Sequence, residues 1–339
     1  MKQARKILFP FAVAYDGITR LRNKLYDTGL LSSQSYDVPL ICVGNLSVGG
    51  TGKSPMIEYL ITLLKDDFRV AVLSRGYGRA TKGYLEVQKN HLASEVGDEP
   101  LQFKKKFPDV SIAVCGDRRE GIKNLLKQHP EVILLDDAFQ HRKVKPGFSV
   151  VLTTYDEPFV DDLVLPAGNL RETAANAKRA DAIVITKIPD KVPYAHLQTL
   201  QHRLRQNLEQ QVFMSRIAYS DHMYSKTDKL PLEFLTDKRF TLVTGIANAK
   251  PLVAYLNGKN FDFDHLEYPD HHDFSKSELA TIAQAQLILT TEKDFVRLSP
   301  HIDKKAMYAL PIQTSFIERQ NVFDEMVLDY IHTLWNKIV

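Results

Sequence analysis

The sequence predicts an α/β fold: a mostly parallel, buried sheet flanked by helices, with a second, smaller α/β unit after it. Two observations lead there. Short apolar runs without polar alternation recur at 40–43, 70–73, 110–115, 132–135, 150–152 and 183–185, as strands covered on both faces do. Between them lie stretches of helical spacing, such as Met56, Leu60, Leu63 and Leu64, and the segment from about 118 to 127, so strands alternate with helices. In such sheets ligands gather at the carboxyl ends of the strands. The polar, glycine-rich turns of this chain sit directly after its apolar runs.

The first strand, 40–43, leads into Ser47-Val48-Gly49-Gly50-Thr51-Gly52-Lys53-Ser54, a phosphate-binding P-loop. Its glycines let the backbone wrap an anion with N–H groups turned inward. Lys53 is then the residue that reaches the β- and γ-phosphates, and the Ser54 hydroxyl completes a Mg²⁺ shell. Pro55 stands in the first helical turn, where a missing N–H is harmless, and the helix it opens points its N-terminal dipole at the phosphate. These eight residues are the candidate ATP site. Ser47 occupies the position where the pattern usually starts with Gly. An ordinary glycine-rich turn is the rival reading, and the strand–loop–helix context argues against it.

With 339 residues the chain can bury two cores. A net charge of +3 is too small to argue for nucleic acid, and no aromatic–basic alternation supports it. The two cysteines, Cys42 and Cys115, sit inside apolar runs, as buried reduced thiols of a cytosolic protein do. No Cys/His spacing suits zinc. Near the N-terminus, Lys2, Arg5 and Lys6 precede Ile7-Leu8-Phe9, Pro10 and an apolar stretch to Tyr15, and Arg20, Arg22 and Lys24 follow. The run is too short to span a bilayer, and Pro10 breaks it as a signal peptide. Two readings remain: a basic amphipathic helix resting on a membrane or lining an apolar entrance, and a surface helix packed on the core.

Further candidates follow the other strands. Asp136-Asp137 end the run 132–135, where a P-loop enzyme holds Mg²⁺. Gln140, His141 and Arg142 then fix that loop. Asp98 in Gly97-Asp98-Glu99-Pro100 is an N-cap or a carboxylate facing the γ-phosphate, where it would position a hydroxyl and take its proton late. Arg171-Glu172 is a surface pair or an Arg presented to phosphate. Thr186-Lys187-Ile188-Pro189-Asp190 resembles a guanine-reading element with its Asp displaced by one. The stretch from about 201 to 238 is polar and mixed and reads as inter-domain. A second alternation starts at 240–245, with a helix near 250–256, a strand near 262–268, the run 285–289, and a C-terminal helix from about 322 to 335. It offers Asp270-His271-His272-Asp273 before Ser275 and Glu278, a capping box; adjacent histidines rarely share one ion, so metal is not expected there.

Taken together, the chain resembles the tetraacyldisaccharide 4′-kinase family of lipid A biosynthesis. The blocks run in order: 22–26, 43–45 into the P-loop, 74–79, 96–100, 136–141, 165–172, Asp270-His271, and 291–294. Ala138 stands where that family is expected to have Gly. The resemblance implies a kinase, with ATP and Mg²⁺, that phosphorylates the 4′-hydroxyl of a tetraacylated glucosamine disaccharide 1-phosphate (lipid A disaccharide 1-phosphate) to form lipid IVA. It implies two lobes joined by a hinge, a P-loop kinase domain at 31–215 and a smaller lobe at 216–339, preceded by an N-terminal membrane-associating region at 1–30. Carried onto these positions, Asp98 is the base paired with His271, Lys53 and Ser54 hold phosphate and metal, and Asp136 and Asp137 organise Mg²⁺. Arg75, Tyr77, Gln140, His141, Arg171 and Glu172 are the candidates for substrate and phosphate. The location implied is the cytoplasmic face of a Gram-negative inner membrane, without an obligate protein partner. The rivals are a P-loop GTPase or metal-insertion ATPase, and a nucleotide-sensing module without turnover.

Overall fold

The computed structural model describes residues 5–302 and 306–338; Lys2 of the N-terminal basic cluster lies outside them. The chain enters through helix α1 (Phe9–Asp27) and then builds β1 (Leu40–Asn45), β2 (Val70–Ser74), β3 (Leu85–Glu86), β4 (Ser111–Val114), β5 (Val132–Asp136), β6 (Phe148–Thr154), β7 (Ala182–Thr186) and β8 (Gln211–Tyr219). Helices α2 (Lys53–Leu64), α3 (Asp98–Lys106), α4 (Arg118–Leu125) and α5 (Tyr194–Leu204) lie between them. A second sheet follows: β9 (His222–Tyr224), β10 (Lys229–Pro231), β11 (Phe240–Thr244), β12 (Phe263–Glu267), β13 (Ile288–Thr291) and β14 (Met307–Leu310), with helices α6 (Lys250–Gly258), α7 (Lys276–Ile282) and α8 (Glu292–Leu298). The chain closes with β15 (Ile312–Phe316) and α9 (Gln320–Ile338).

Among the described residues the large sheet runs β15-β8-β7-β6-β1-β5-β2-β4-β3 and the small one β10-β9-β14-β13-β11-β12. Strands β4, β2, β5, β1, β6, β7 and β8 are mutually parallel, and β15 and β3 join the edges antiparallel. Every residue of β1, β2, β5 and β7 is buried, which is why their sequences show no alternation. One apolar layer, with Met56, Ile57, Leu60 and Leu64 of α2, covers one face; Ile122, Leu125, Leu197 and Leu204 of α4 and α5 cover the other. Both cysteines are buried thiols.

Two parts of the chain differ from the sequence expectation. The segment from 201 to 238 is not a mere connection: β8 is nine residues long and pairs with β7 on one side and β15 on the other. Its outer half is only half-buried, so its sequence lacks the apolar run of an interior strand. The expected lobe at 216–339 also ends earlier, because β15 and α9 return to the large sheet. There Phe316, Phe323, Val327 and Ile331 complete its core, and Phe323 lies edge-on to Phe213 of β8 at 5.2 Å. The two crossings between sheets touch, since the Ser220 N–H donates to Pro311 O at 2.9 Å.

Because α9 seals the large sheet through a fully buried ring, Phe323→Ala is expected to destabilise the protein by about 3–5 kcal/mol. Urea unfolding measures it, and a loss below about 1 kcal/mol would mean that α9 is not part of this core.

Candidate active site

β1 lies between β5 and β6, the point where the chain's path across the sheet reverses and where α/β proteins take their ligands. From its end the P-loop turns into α2. The left-handed positions of that loop are Gly49 (φ 107°) and Gly52 (φ 90°), where a Cβ would strain the backbone. Ser47 is not one of them: it forms an antiparallel bridge with Leu170, which explains why glycine is dispensable there. The loop is braced from three directions. Buried Asn45 donates from Nδ2 to Thr51 Oγ1 at 2.9 Å. Thr186 at the end of β7 donates to Thr51 O at 2.8 Å, and Lys187 Nζ donates to Gly50 O at 2.5 Å. The 165–172 segment supplies the third brace, with Val48 N–H on Asn169 O at 2.8 Å and Arg171 N–H on Leu46 O at 2.7 Å. Asp190, the displaced acid of the guanine-like element, is paired with Arg216 at 2.6 Å.

Asp136 and Asp137 diverge at the end of β5, as adjacent strand residues must. Asp136 is buried and accepts from Ser74 Oγ at 2.8 Å. Burial, followed by the charge of Asp137, pushes its carboxyl up to about 6. Asp137 adopts φ 46°, and both its oxygens accept from Arg171 Nη1 at 2.9 and 3.0 Å, with Lys53 Nζ at 3.8 Å. Arg171 is thus neither a surface partner of Glu172 nor free. Glu172 is buried; it pairs with Arg179 at 2.7 Å and accepts from Asn23 of α1 at 2.9 Å. Gln140 donates to Asn45 O at 2.8 Å and to Glu172 at 3.1 Å. His141 has a buried Nε2 without a hydrogen-bond partner, and burial, then Arg118, pulls its imidazole down to about 4.

Asp98 is the first residue of α3 and not its N-cap, a position held by Gly97. Its side chain turns to the second sheet. His271 Nδ1 lies 2.9 Å from Asp98 Oδ2, and Arg297 Nε donates to Oδ1 at 2.9 Å while Nη2 donates to Oδ2. Burial raises this carboxyl, but Arg297 and then His271 more than offset that and hold it below its usual range. His271 has φ 57° and is anchored through its backbone: its N–H donates to Gly245 O at 3.2 Å, and Gly245 N–H donates to buried Asp294 at 2.9 Å. His272 faces elsewhere, on Glu278 at 3.0 Å and stacked on Tyr268 at 5.1 Å. The Ser275–Glu278 capping box is present. Gly76 packs against Gly97, which brings the 74–79 turn alongside and sets Tyr77, exposed, 6.4 Å from the His271 ring; Arg75 is exposed beside it.

The sequence left Arg297 and the Glu99–Lys293 pair (2.6 Å) unassigned. Lys293 belongs to the quoted 291–294 block, but only the fold shows that α8 lies along α3. The two halves of the site are close enough to feel each other's charge: Asp136 senses Glu99, and Lys187, lowered first by burial, senses Lys293 and Lys53.

Comparison with known proteins identifies the family. The model of the family described as "Tetraacyldisaccharide-1-P 4'-kinase" matches residues 4–332. A tetraacyldisaccharide 4'-kinase of Flavobacterium johnsoniae is 47% identical, with 98% of each chain covered. One of Bacteroides thetaiotaomicron is 41% identical over 96% of this chain and 93% of its own. Among solved structures, LpxK of Aquifex aeolicus, crystallised in complex with ATP, superposes with a TM-score of 0.79 at 31% identity, covering 97% of this chain and 99% of that one.

A carboxyl raised by burial opposes folding once it ionises. Relative to the unfolded value of 3.8, Asp136 near 6 leaves stability intact below about pH 4 and withdraws it as pH rises through 6. Asp136→Asn is therefore expected to stabilise the protein, measured without nucleotide or metal, by up to roughly 3 kcal/mol at pH 8. The gain should vanish near pH 4; urea titrations at both pH values decide it.

Proposed function

Because this chain belongs to the tetraacyldisaccharide 4'-kinase family, we propose that it transfers the γ-phosphate of ATP to the 4′-hydroxyl of tetraacyldisaccharide 1-phosphate, giving lipid IVA. The observation that carries the reading is the pairing of Asp98 with His271 across the two sheets, alongside a braced P-loop. In this reading the P-loop N–H groups and Lys53 hold the β- and γ-phosphates. Asp98 orients the sugar hydroxyl and accepts its proton as the new phosphorus–oxygen bond forms and the bond to ADP breaks. His271 aligns Asp98 and spreads the charge. Arg171, Gln140, His141, Arg75 and Tyr77 line the approach of the acceptor and its phosphate, and Glu172 anchors that loop.

Mg²⁺ fits the donors present. Asp136 at the end of β5 and the Ser54 hydroxyl next to Lys53 are the oxygens that would hold it, with Asp137 beside Lys53. The upward push on Asp136, from burial first and then the charge of Asp137, marks a place where a divalent cation would compensate a buried carboxylate. When bound, the ion neutralises charge on the transferring phosphate.

We place the acceptor at a membrane surface. Ile7, Phe9, Phe11, Val13, Ile18 and Leu21 in and before α1 are exposed, while α1 buries only Ala12 and Asn23. Among the described residues no helix is long and apolar enough to cross a bilayer, so α1 would lie in the interface, on the cytoplasmic side where ATP is. The lobe that closes over ATP is the small sheet, pivoting where Ser220 and Pro311 meet.

Radiolabelled ATP and the disaccharide 1-phosphate in detergent micelles should yield a bisphosphorylated lipid. Lys53→Ala and Asp98→Ala should each nearly abolish it, with ATP binding retained in Asp98→Ala. Retention of more than a tenth of kcat in Asp98→Ala, a loss under about 1.4 kcal/mol, removes Asp98 as the base. Separately, Phe11→Glu with Ile18→Glu should cut sedimentation with anionic vesicles at least roughly tenfold while turnover of detergent-dispersed lipid persists. Unchanged sedimentation would remove α1 from the membrane contact.

A further inference from the structure

Helices α3 and α8 are joined by three ion pairs. Lys293 meets Glu99 at 2.6 Å, Glu292 meets Lys106 at 3.0 Å, and Arg297 meets Asp98. Lys106 also meets Glu58 of α2 at 2.6 Å, so this seam ties the P-loop helix, the Asp98 helix and the second sheet together. The side chain of Arg297 is nine-tenths buried. Its fork donates one bond to each Asp98 oxygen. A carboxylate has about four lone-pair sites, so Oδ1 keeps one for another partner, while the second site on Oδ2 faces His271 Nδ1. Arg297 Nη2 also lies 2.7 Å from His271 Nδ1. A single Nδ1 cannot accept from Arg297 and donate to Asp98 at once, so the two partners of Asp98 compete.

We propose that Arg297 is a positioning residue for the base: its guanidinium fixes both oxygens of Asp98 and aims the remaining lone pair of Oδ1 at the acceptor hydroxyl. The inference rests on the reading of Asp98 as the base. A fork does what an ammonium cannot, since it sets the plane of the carboxylate as well as its charge. The other charged groups around Asp98 are not equivalent. Lys293 is engaged by Glu99, Asp294 is held by Gly245 and Thr291, and Asp270 lies 3.9 Å from the far side of His271. Without Arg297, burial acts on Asp98 with its main opposing partner gone and His271 left as the side chain bonded to it. The carboxyl then rises, and the acid limb of kcat/KM moves to higher pH.

The test is a pH profile of kcat and KM for wild type, Arg297→Met, Arg297→Lys, Asp98→Asn and the double variant Asp98→Asn/Arg297→Met. Arg297→Met should lose roughly tenfold or more in kcat, keep KM for ATP within about twofold, and move the acid limb up by about one pH unit. Arg297→Lys, which keeps the charge and gives a second variant should Arg297→Met not fold, should leave the acid limb in place and lose kcat to an intermediate degree. The double variant should be no slower than Asp98→Asn, because Arg297 acts through Asp98. Wild-type kcat with an unmoved limb in Arg297→Met, full kcat in Arg297→Lys, or an additive loss in the double variant would each overturn the proposal. Near wild-type turnover in Asp98→Asn would instead overturn the base itself.

Discussion

The burial of β1 between β5 and β6 governs this molecule. A fully covered parallel strand has no freedom of register, because a slip of one residue would turn its whole side-chain set over. The pairing Val43 to Asp136 on one side and Asn45 to Leu152 on the other therefore fixes where β1 stops, and with it the P-loop. The same pairing brings Asp136 and Asp137 beside the loop's lysine. Three residues around the site, Asp137, Lys187 and His271, take positive φ without being glycine, a conformation that persists only where surroundings hold it. Arg171 holds the first, the Gly50 carbonyl the second, and the Gly245–Asp294 brace the third.

The second sheet contributes by reaching over with α8, and what it brings is mostly charge. Glu58, Lys106 and Glu292 form a buried cluster in which burial, then Glu292, pushes Glu58 up to about 7. Such groups give modest net stability, since desolvation offsets most of the attraction. Their effect is on orientation: two acids and one lysine from three helices have few alternative arrangements that leave none unpaired. A seam of this kind fixes α3 against α8 while leaving the crossing at Ser220 and Pro311 as the place where the sheets meet by few bonds.

The sequence made legible whatever is encoded in neighbouring residues. The P-loop, the strand-end acids and the capping box at Ser275 are short patterns whose chemistry and backbone requirement coincide. The choice of His271 over His272 came from the family resemblance, and the fold separates them by stacking His272 on Tyr268. What stayed hidden depends on long-range packing. Arg297 looks like any helix-surface arginine until α8 is laid along α3. β8 carries Ser215 and Arg216 in its middle because its partners, β7 and β15, come from either side of the second sheet in sequence. α9 has an apolar stripe, but nothing in that stripe says which of two cores it covers.

The cations around the proposed phosphate site already have partners: Lys53 and Arg171 on Asp137, Lys293 on Glu99, Arg297 on Asp98. On the kinase reading this is an exchange system. A triphosphate with its metal brings four negative charges and two positive ones, roughly, so Lys53 and Arg171 can transfer to phosphate while Asp137 transfers to the metal. No buried charge is left alone at any point. Arg297 stands apart in this exchange, because its partner is the group that must remain an unprotonated carboxylate until the hydroxyl gives up its proton. Were Arg297 to leave Asp98 for the incoming phosphate, burial would raise the carboxyl just when an ionised base is needed. The bidentate fork opposes that transfer: two bonds must break together, whereas Lys53, 3.8 Å from its acid, has little to give up. The difference in geometry separates Lys53, which is loosely held and can move to the nucleotide, from Arg297, which is held to the base by both arms of its fork.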